Sequence, residues 1–174
     1  MNATTIILGR LDAYAGQMKN VMEEITEEDL YFQAGTEDNP IGWLTWHMTR
    51  YEDLVFSHIS DRPQIWIGEG WHEKFSRPAT PEDTGAGHTI EQVKNFRATK
   101  ETLIDYAAAV RLKTKHCLSD LTDFNLDAQV DDFGRGSNVA VGEVLGRFFG
   151  DHISHVGQIC YIRGHLKGWG KYGR

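Results

Sequence analysis

Apolar residues recur at spacings of three and four along four long stretches of the chain, which is the periodicity of amphipathic helices. The first stretch covers roughly residues 4–25 and places these apolar side chains on one face: Ile7, Leu11, Tyr14, Met18, Val21 and Met22. The second begins after Asn39 and Pro40, which suit the N-cap and the first helical position, and should end before Pro63. No stretch shows the alternation that is typical of a strand.

The helical pattern resumes near Thr89, where Thr89 and Gln92 predict a capping box. It pauses near residues 98–99 and then continues to about Leu118. A polar connection follows over residues 122–138, and a fourth helix runs from about residue 139 to about residue 166. These elements predict an all-α fold, a four-helix bundle, in one domain over residues 1–174. An up-down-up-down arrangement and a variant with a crossover both fit the pattern.

The chain between the second and third helices, residues 61–87, breaks the pattern. It contains three prolines, four glycines and two tryptophans, and it predicts a long irregular connection. Loops of this length within a domain often cover or bind something. The aromatic side chains of Trp66, Trp71 and Phe75 predict that the connection packs down on the bundle, where it could cover a site.

Composition and charge exclude some classes of function. The chain has 174 residues, a net charge of −7 and a pI near 5.6, and the three cations at residues 111–115 fit a solvated helix face. Nucleic-acid binding is not expected, because its affinity comes from basic side chains that neutralise phosphates. No apolar run approaches the roughly 20 residues of a membrane span, and the N-terminus lacks the features of a secretory signal. The two cysteines, Cys117 and Cys160, fit buried thiols in a reduced cytoplasmic protein.

The chain contains eight histidines, and their positions along the predicted helices and loops divide them into surface and inward-facing residues. Four are expected on the surface: His72, His88, His116 and His165. His47 lies on the inward face of the second helix, where a lone histidine is more often a hydrogen-bonded core side chain than a ligand. His58 continues the same face, but eleven residues of helix span about 16 Å, so it cannot share a compact site with His47.

The fourth helix carries a polar group on its apolar face. His155 lies near the middle of that face, and Asp151 and His152 precede it by four and three residues, so that either can point the same way. Periodicity does not choose between them. Burying such groups without a partner costs several kcal/mol, which a bound cation would offset. Imidazole with a carboxylate suits Zn, Fe, Ni or Co, whereas an Asp–His hydrogen bond without metal explains the pattern equally well. A di-iron carboxylate site is disfavoured, because Glu143 does not stand three residues before a histidine.

Two segments resemble the DinB/YfiT-like superfamily of metal-binding four-helix bundles. They are NPIGWLTWHMTR at residues 39–50 and DHISHVGQICYIRG at residues 151–164. The resemblance covers nearly the whole chain and implies three ligands on a divalent metal: His47, His155 and the residue four before it, Asp151. Many members carry histidine at the Asp151 position, so His152 is the alternative third ligand, or a group behind the ligands.

The resemblance also implies a function. Characterised relatives include S-transferases and isomerases that use low-molecular-weight thiols such as bacillithiol, mycothiol or glutathione. We therefore expect a metal-dependent enzyme of the thiol S-transferase type, or a related isomerase or hydrolase, with Zn, Ni or Fe and a small-molecule substrate that Gln158 could orient. The alternative is a non-catalytic metal-binding bundle that acts as a structural or small-molecule-binding protein. A homodimer is expected by analogy with the superfamily.

Overall fold

The computed structural model describes residues 3–120 and 126–169, and four long helices form its framework. These helices are α1 (Ala3–Glu24), α2 (Ile41–Ser60), α6 (Lys100–Asp120) and α7 (Val141–Lys167). The shorter elements are a 3-10 helix (Asp29–Tyr31), α3 (Ile65–Gly68), α4 (Trp71–Lys74), α5 (Ile90–Asn95), β1 (Gln129–Asp131) and β2 (Asn138–Ala140). The all-α expectation is confirmed. Within the described ranges, no helix has the length and apolarity that crossing a membrane requires.

Helix α2 is the central element of the bundle. It packs against α6 on one side and α7 on another, while α1 packs against α7 and α6. Every residue of α2 from Ile41 to Arg50 is buried, so the helix has no solvent face over its first half. The side that faces away from α6 and α7 is covered by the 3-10 helix and by the long connection that follows α2. This burial places any polar side chain of that half-helix inside the molecule.

The long connection packs on the bundle, as its aromatic residues predicted. Trp66, Trp71 and Phe75 are buried, and their rings lie 5.6, 5.1 and 5.5 Å from the ring of Tyr106 on α6. They belong to the main core cluster together with Trp46 and are not a cover over the histidines. The rings themselves are packed in the core, which takes up their apolar surface.

The third helical region agrees with the prediction from sequence. Thr89 and Gln92 form the expected capping box at the start of α5. Phe96 then adopts an extended backbone, with φ −65° and ψ 130°, which produces the predicted pause before α6 begins at Lys100. The start of α2 differs from the prediction by one residue. The helix begins at Ile41 with Pro40 as its N-cap, whereas Asn39 was expected to be the N-cap.

The polar connection before α7 contains a strand pair that the sequence did not predict. Residues 121–125 lie outside the described residues. In the part of the connection that follows them, β1 and β2 pair antiparallel, with Val130 opposite Val139. Gly134 and Gly136 adopt φ +76° and +81° in the turn between them. Strands of three residues are too short to show an alternation, which explains why Val139 was assigned to the helix and α7 begins two residues later.

Candidate metal centre

Three polar side chains from two helices meet on the inner side of the bundle. His47 projects from α2, and Asp151 and His155 project from adjacent turns of α7. Oδ1 of Asp151 lies 3.5 Å from Nε2 of His47 and 3.3 Å from Nε2 of His155. The two imidazole rings are nearly perpendicular, at 86°, with centroids 4.9 Å apart. One ligand atom from each residue lies within 4.8 Å of the other two, so the group could hold a metal ion.

Hydrogen bonds on the far side of each ring fix which nitrogen faces the centre. Nδ1 of His47 lies 2.6 Å from the carbonyl oxygen of Thr84, which can only accept. Nδ1 of His155 lies 2.8 Å from Oε1 of Gln158, so it donates as well. Both Nδ1 atoms therefore carry hydrogen, and in the neutral rings both Nε2 atoms present a lone pair to Asp151. Metal-binding histidines are oriented in this way by a partner on the other nitrogen.

The charge of the carboxylate shapes the titration of the site. Burial alone would raise the pKa of Asp151, but contacts from His155 and His47 bring it well below its usual range, so the group is ionised. For His155, burial lowers the pKa, and the contacts with Asp151 and Gln158 outweigh it and give a raised pKa. Oδ2 of Asp151 is buried and has no hydrogen-bond partner among the described residues. The carboxylate thus supplies a negative charge that is only partly satisfied.

His152, the alternative third ligand, points elsewhere. It is 2 % exposed, its ring lies 4.0 Å from that of Phe148, and its Nε2 faces a carboxylate oxygen of Glu52 at 4.0 Å. Burial lowers its pKa to about 3, which keeps the imidazole neutral. Its Nδ1 approaches Oδ2 of Asp151 at 3.7 Å from behind. His152 therefore lies behind the carboxylate and outside the group of three facing atoms.

Solvent reaches the group from one side. The side chains of Asp151 and His155 are 27 % and 17 % exposed, while His47 is 8 % exposed. The ring of Tyr51 stacks on that of His47, with centroids 6.4 Å apart, and forms one wall of the site. Burial, and then the charge of Asp151, raises the pKa of Tyr51, so its hydroxyl stays neutral. A groove of about 510 Å³ lies beside the group: Gln158, which contacts Nδ1 of His155, lines it, and the three donor residues do not. Asp151 and His155 therefore form the more accessible side of the group.

The remaining histidines divide into two sets. His116 and His165 are exposed, as expected, and His58 contacts the carbonyl oxygen of Asp131 at 2.6 Å, far from the group. The surface expectation is wrong for His72 and His88. Both are largely enclosed because the long connection folds over α2, and the side chain of His88 is only 9 % exposed.

Two contributors to the site were not recognised from sequence. Thr84 acts through its backbone carbonyl, and no residue type signals such a role. Arg50 is fully buried on α2, three residues after His47, although a charged residue is expected at the surface. Its position in the same segment as His47 was the available signal.

The donor atoms fit a divalent transition metal. Bonds of about 2.1 Å in tetrahedral geometry separate neighbouring ligand atoms by about 3.4 Å. The two measured separations from Asp151, 3.5 and 3.3 Å, agree with that value. Two imidazole nitrogens and one carboxylate oxygen are a donor set that Zn, Fe and Ni accept.

The fold and the site define the class of protein: a helical bundle with a candidate metal centre made by two facing helices. The chain belongs to the DinB superfamily, whose sequence profile matches residues 10–159. This confirms the relationship expected from the two segments. Its fold is similar to the crystal structure of a conserved protein from Enterococcus faecalis, with 27 % sequence identity, a TM-score of 0.83 and coverage of 97 % of this chain and 99 % of that chain. No curated protein matches the sequence.

Proposed function

We propose that this protein binds one divalent metal ion through His47, Asp151 and His155 and is an enzyme of the low-molecular-weight-thiol S-transferase type. The observation that carries the proposal is the meeting of three electron-pair donors. Two Nε2 lone pairs and a carboxylate oxygen face one another, and both Nδ1 hydrogens are engaged elsewhere. Like-charged or lone-pair atoms at this distance repel unless a cation lies between them.

A proton is the competing cation, and the distances argue against it. A charge-assisted N–H···O hydrogen bond is about 2.7–2.9 Å long. The separations of 3.3 and 3.5 Å exceed this range and match the spacing around a four-coordinate ion. One proton can also serve only one histidine at a time, while a metal ion satisfies all three donors together. The geometry thus favours metal over the Asp–His pair.

The open side of the site supports catalysis over a purely structural role. Three protein ligands leave a coordination position for water or substrate, the arrangement of catalytic sites. When bound, the ion would supply a Lewis-acid centre that lowers the pKa of a thiol. Gln158 contacts Nδ1 of His155, on the side of the ring away from the donor atoms, and lines a groove with Gly157 and Tyr161. A small thiol or its co-substrate could bind in this groove, beside His155.

The test is metal content by plasma mass spectrometry on gently purified protein and three variants, His47→Ala, Asp151→Ala and His155→Ala. We expect near one ion per chain in the wild type and loss in each variant. His58→Ala is the matched control, because it removes a histidine from α2 that lies outside the site. If Asp151→Ala alone retained its ion, the third ligand would be His152. Thiol-transfer reactions would then be screened with the metal-loaded protein.

A non-catalytic metal-binding bundle is the second candidate. Ile153 and Tyr161 on α7 are 61 % and 60 % exposed and could contact another molecule, including a second copy of the chain. In that case the ion would be structural, and its removal should unfold the protein. A catalytic ion should leave with a modest loss of stability, so thermal unfolding with and without chelator separates the two functions.

A further inference from the structure

We infer that the long connection between α2 and α5 is a positioning element for the metal centre. Through the carbonyl of Thr84, it fixes the tautomer of His47 and thereby sets the affinity of the site for metal. The inference deepens the proposed function and rests on it for the metal. The tautomer can be measured without metal, so the two ideas fail separately.

The contact between His47 and Thr84 is buried, and only one position of its hydrogen is chemically possible. Taken as whole residues, His47 and Thr84 are both 6 % exposed, so water does not compete for the hydrogen bond between them. The carbonyl oxygen has no hydrogen to give, and Nδ1 must be the protonated nitrogen. Nε2 is then a lone pair, the form that a metal ligand needs. Without this bond, the neutral ring would be free to place its hydrogen on Nε2 and point it at Asp151.

Arg50 holds the connection in place from the same helix. It lies three residues after His47, is fully buried, and donates to the backbone carbonyls of three residues that precede Thr84. The distances are 2.8 Å from Nη2 to the oxygen of Pro81, 3.5 Å from Nη2 to that of Thr80 and 3.1 Å from Nε to that of Asp83. The carbonyl of Thr84 is therefore presented to His47 by backbone that α2 itself anchors.

A side-chain cluster closes the connection on the other side of Thr84. The Asp83 carboxylate accepts from Arg77 at 2.9 Å and from the backbone N–H of Gly85 at 3.1 Å. It also contacts Nε2 of His88 at 3.1 Å, and Nδ1 of His88 accepts from the indole N–H of Trp43. Trp43 lies one turn before His47 on α2. The connection is thus bonded to α2 on both sides of His47, by Arg50 after it and by Trp43 before it.

Gly85 allows the close approach. It adopts φ +91°, and a Cβ there would lie 2.7 Å from Trp43 and 2.8 Å from Trp46. Gly87 also adopts a positive φ, +79°, but a Cβ there would meet nothing within 4 Å. Alanine at either position incurs backbone strain, and only alanine at position 85 also pushes the Thr84 carbonyl away from α2. The two glycines form a matched pair.

The experiment compares wild type, Gly85→Ala and Gly87→Ala. Zinc affinity is measured by competition with a chromophoric chelator, and the tautomer of His47 in the metal-free protein by nitrogen-15 NMR of its ring. We expect Gly85→Ala to weaken zinc binding by about 10- to 100-fold, as loss of a ligand's supporting hydrogen bond does, and to move hydrogen onto Nε2. Gly87→Ala should stay near wild type in both. Equal effects of the two variants, or an unchanged tautomer in Gly85→Ala, would overturn the inference.

A second pair of variants keeps the inference testable if Gly85→Ala does not fold. Asp83→Asn weakens the cluster around Thr84, and Glu82→Gln makes the same chemical change at the exposed neighbouring residue. We expect the first to lower zinc affinity and alter the tautomer, and the second to do neither. If the wild type bound no zinc, the proposed metal function would fail. The positioning role would then stand or fall on whether Asp83→Asn, unlike Glu82→Gln, changes the His47 tautomer.

Discussion

Asp53 is a fully buried carboxylate at the centre of a set of hydrogen bonds. It accepts from the backbone N–H groups of Ile65 and Trp66, at 3.2 and 3.0 Å, and so holds the start of α3 against α2. It also accepts from Lys113 at 2.8 Å and from the hydroxyl of Tyr106 at 3.1 Å. Burial, with Asp53 adding to it, raises the pKa of Tyr106 well above its usual value, so the phenol remains a donor.

We predict that Asp53→Ala lowers the free energy of unfolding by about 3–5 kcal/mol, because it leaves a buried lysine and several donors without their acceptor. Chemical denaturation at neutral pH measures the effect. The control is Asp12→Ala, which removes an aspartate that pairs with Lys115 at 2.9 Å with both side chains about half exposed. That variant should change stability by less than about 0.5 kcal/mol. Similar losses in the two variants would show that burial of the Asp53 contacts contributes little.

The site could be predicted from sequence as far as side chains on helix faces define it. His47, Asp151 and His155 come together because helical spacing sets the side of each helix on which they project. Helical spacing alone did not choose between Asp151 and His152, since both lie within one turn of His155 on similar faces; the family resemblance favoured Asp151. Arg50 was missed because a charged residue is expected at the surface, although it lies in the same segment as His47. Thr84 could not be found, because it acts through its backbone.

At the scale of elements, the helices with clear end signals were predicted and the irregular pieces were not. The capping box and the extended residue after α5 depend on local sequence, so the pattern reveals them. The short helices α3 and α4 depend on burial of Trp66 and Trp71 in the core, and the hairpin depends on pairing between two strands of only three residues each. Such tertiary contacts do not appear in a periodicity.

The capping box of α5 offers a test at this scale. The hydroxyl of Thr89 accepts from the N–H of Gln92 at 3.3 Å, and Oε1 of Gln92 accepts from the N–H of Thr89 at 2.8 Å. We predict that Thr89→Ala lowers stability by about 1 kcal/mol, which is about 2–4 °C in Tm for a chain of this size. Thr89→Ser keeps the hydroxyl and should melt close to wild type. A Tm for Thr89→Ala equal to that of Thr89→Ser would contradict the role of the cap.

At the scale of the whole molecule, two apolar clusters make up the core, and the three residues of the candidate site belong to neither. One core cluster contains Trp46, Trp66 and Tyr106, and the other contains Phe56 and Phe148. Neither depends on the three polar residues for its apolar burial, which supplies most of the folding free energy. Zinc should therefore add to the stability of a protein that already folds without it.

We predict that zinc at about 100 times its Kd stabilises the protein by about 2.7 kcal/mol at pH 7.5, or about 5–10 °C in Tm, and that the gain largely disappears at pH 5. The raised pKa of His155 sets the sign. Without metal, the folded protein binds a proton there more tightly than the unfolded chain, which stabilises it below about pH 6.5 and is lost as the pH rises through the raised pKa. Zinc needs the lone pair that this proton occupies, so its contribution follows the opposite course.

Differential scanning calorimetry with zinc or with chelator, at both pH values, measures these shifts. His155→Ala is the control and should show no zinc-dependent shift at either pH, because it removes the group whose titration is invoked. A zinc shift of equal size at pH 5 and pH 7.5 would mean that His155 is not a ligand. Unfolding of the wild type by chelator at room temperature would instead identify a structural ion, since a site that adds little apolar burial to the core should lose its metal and leave the bundle folded.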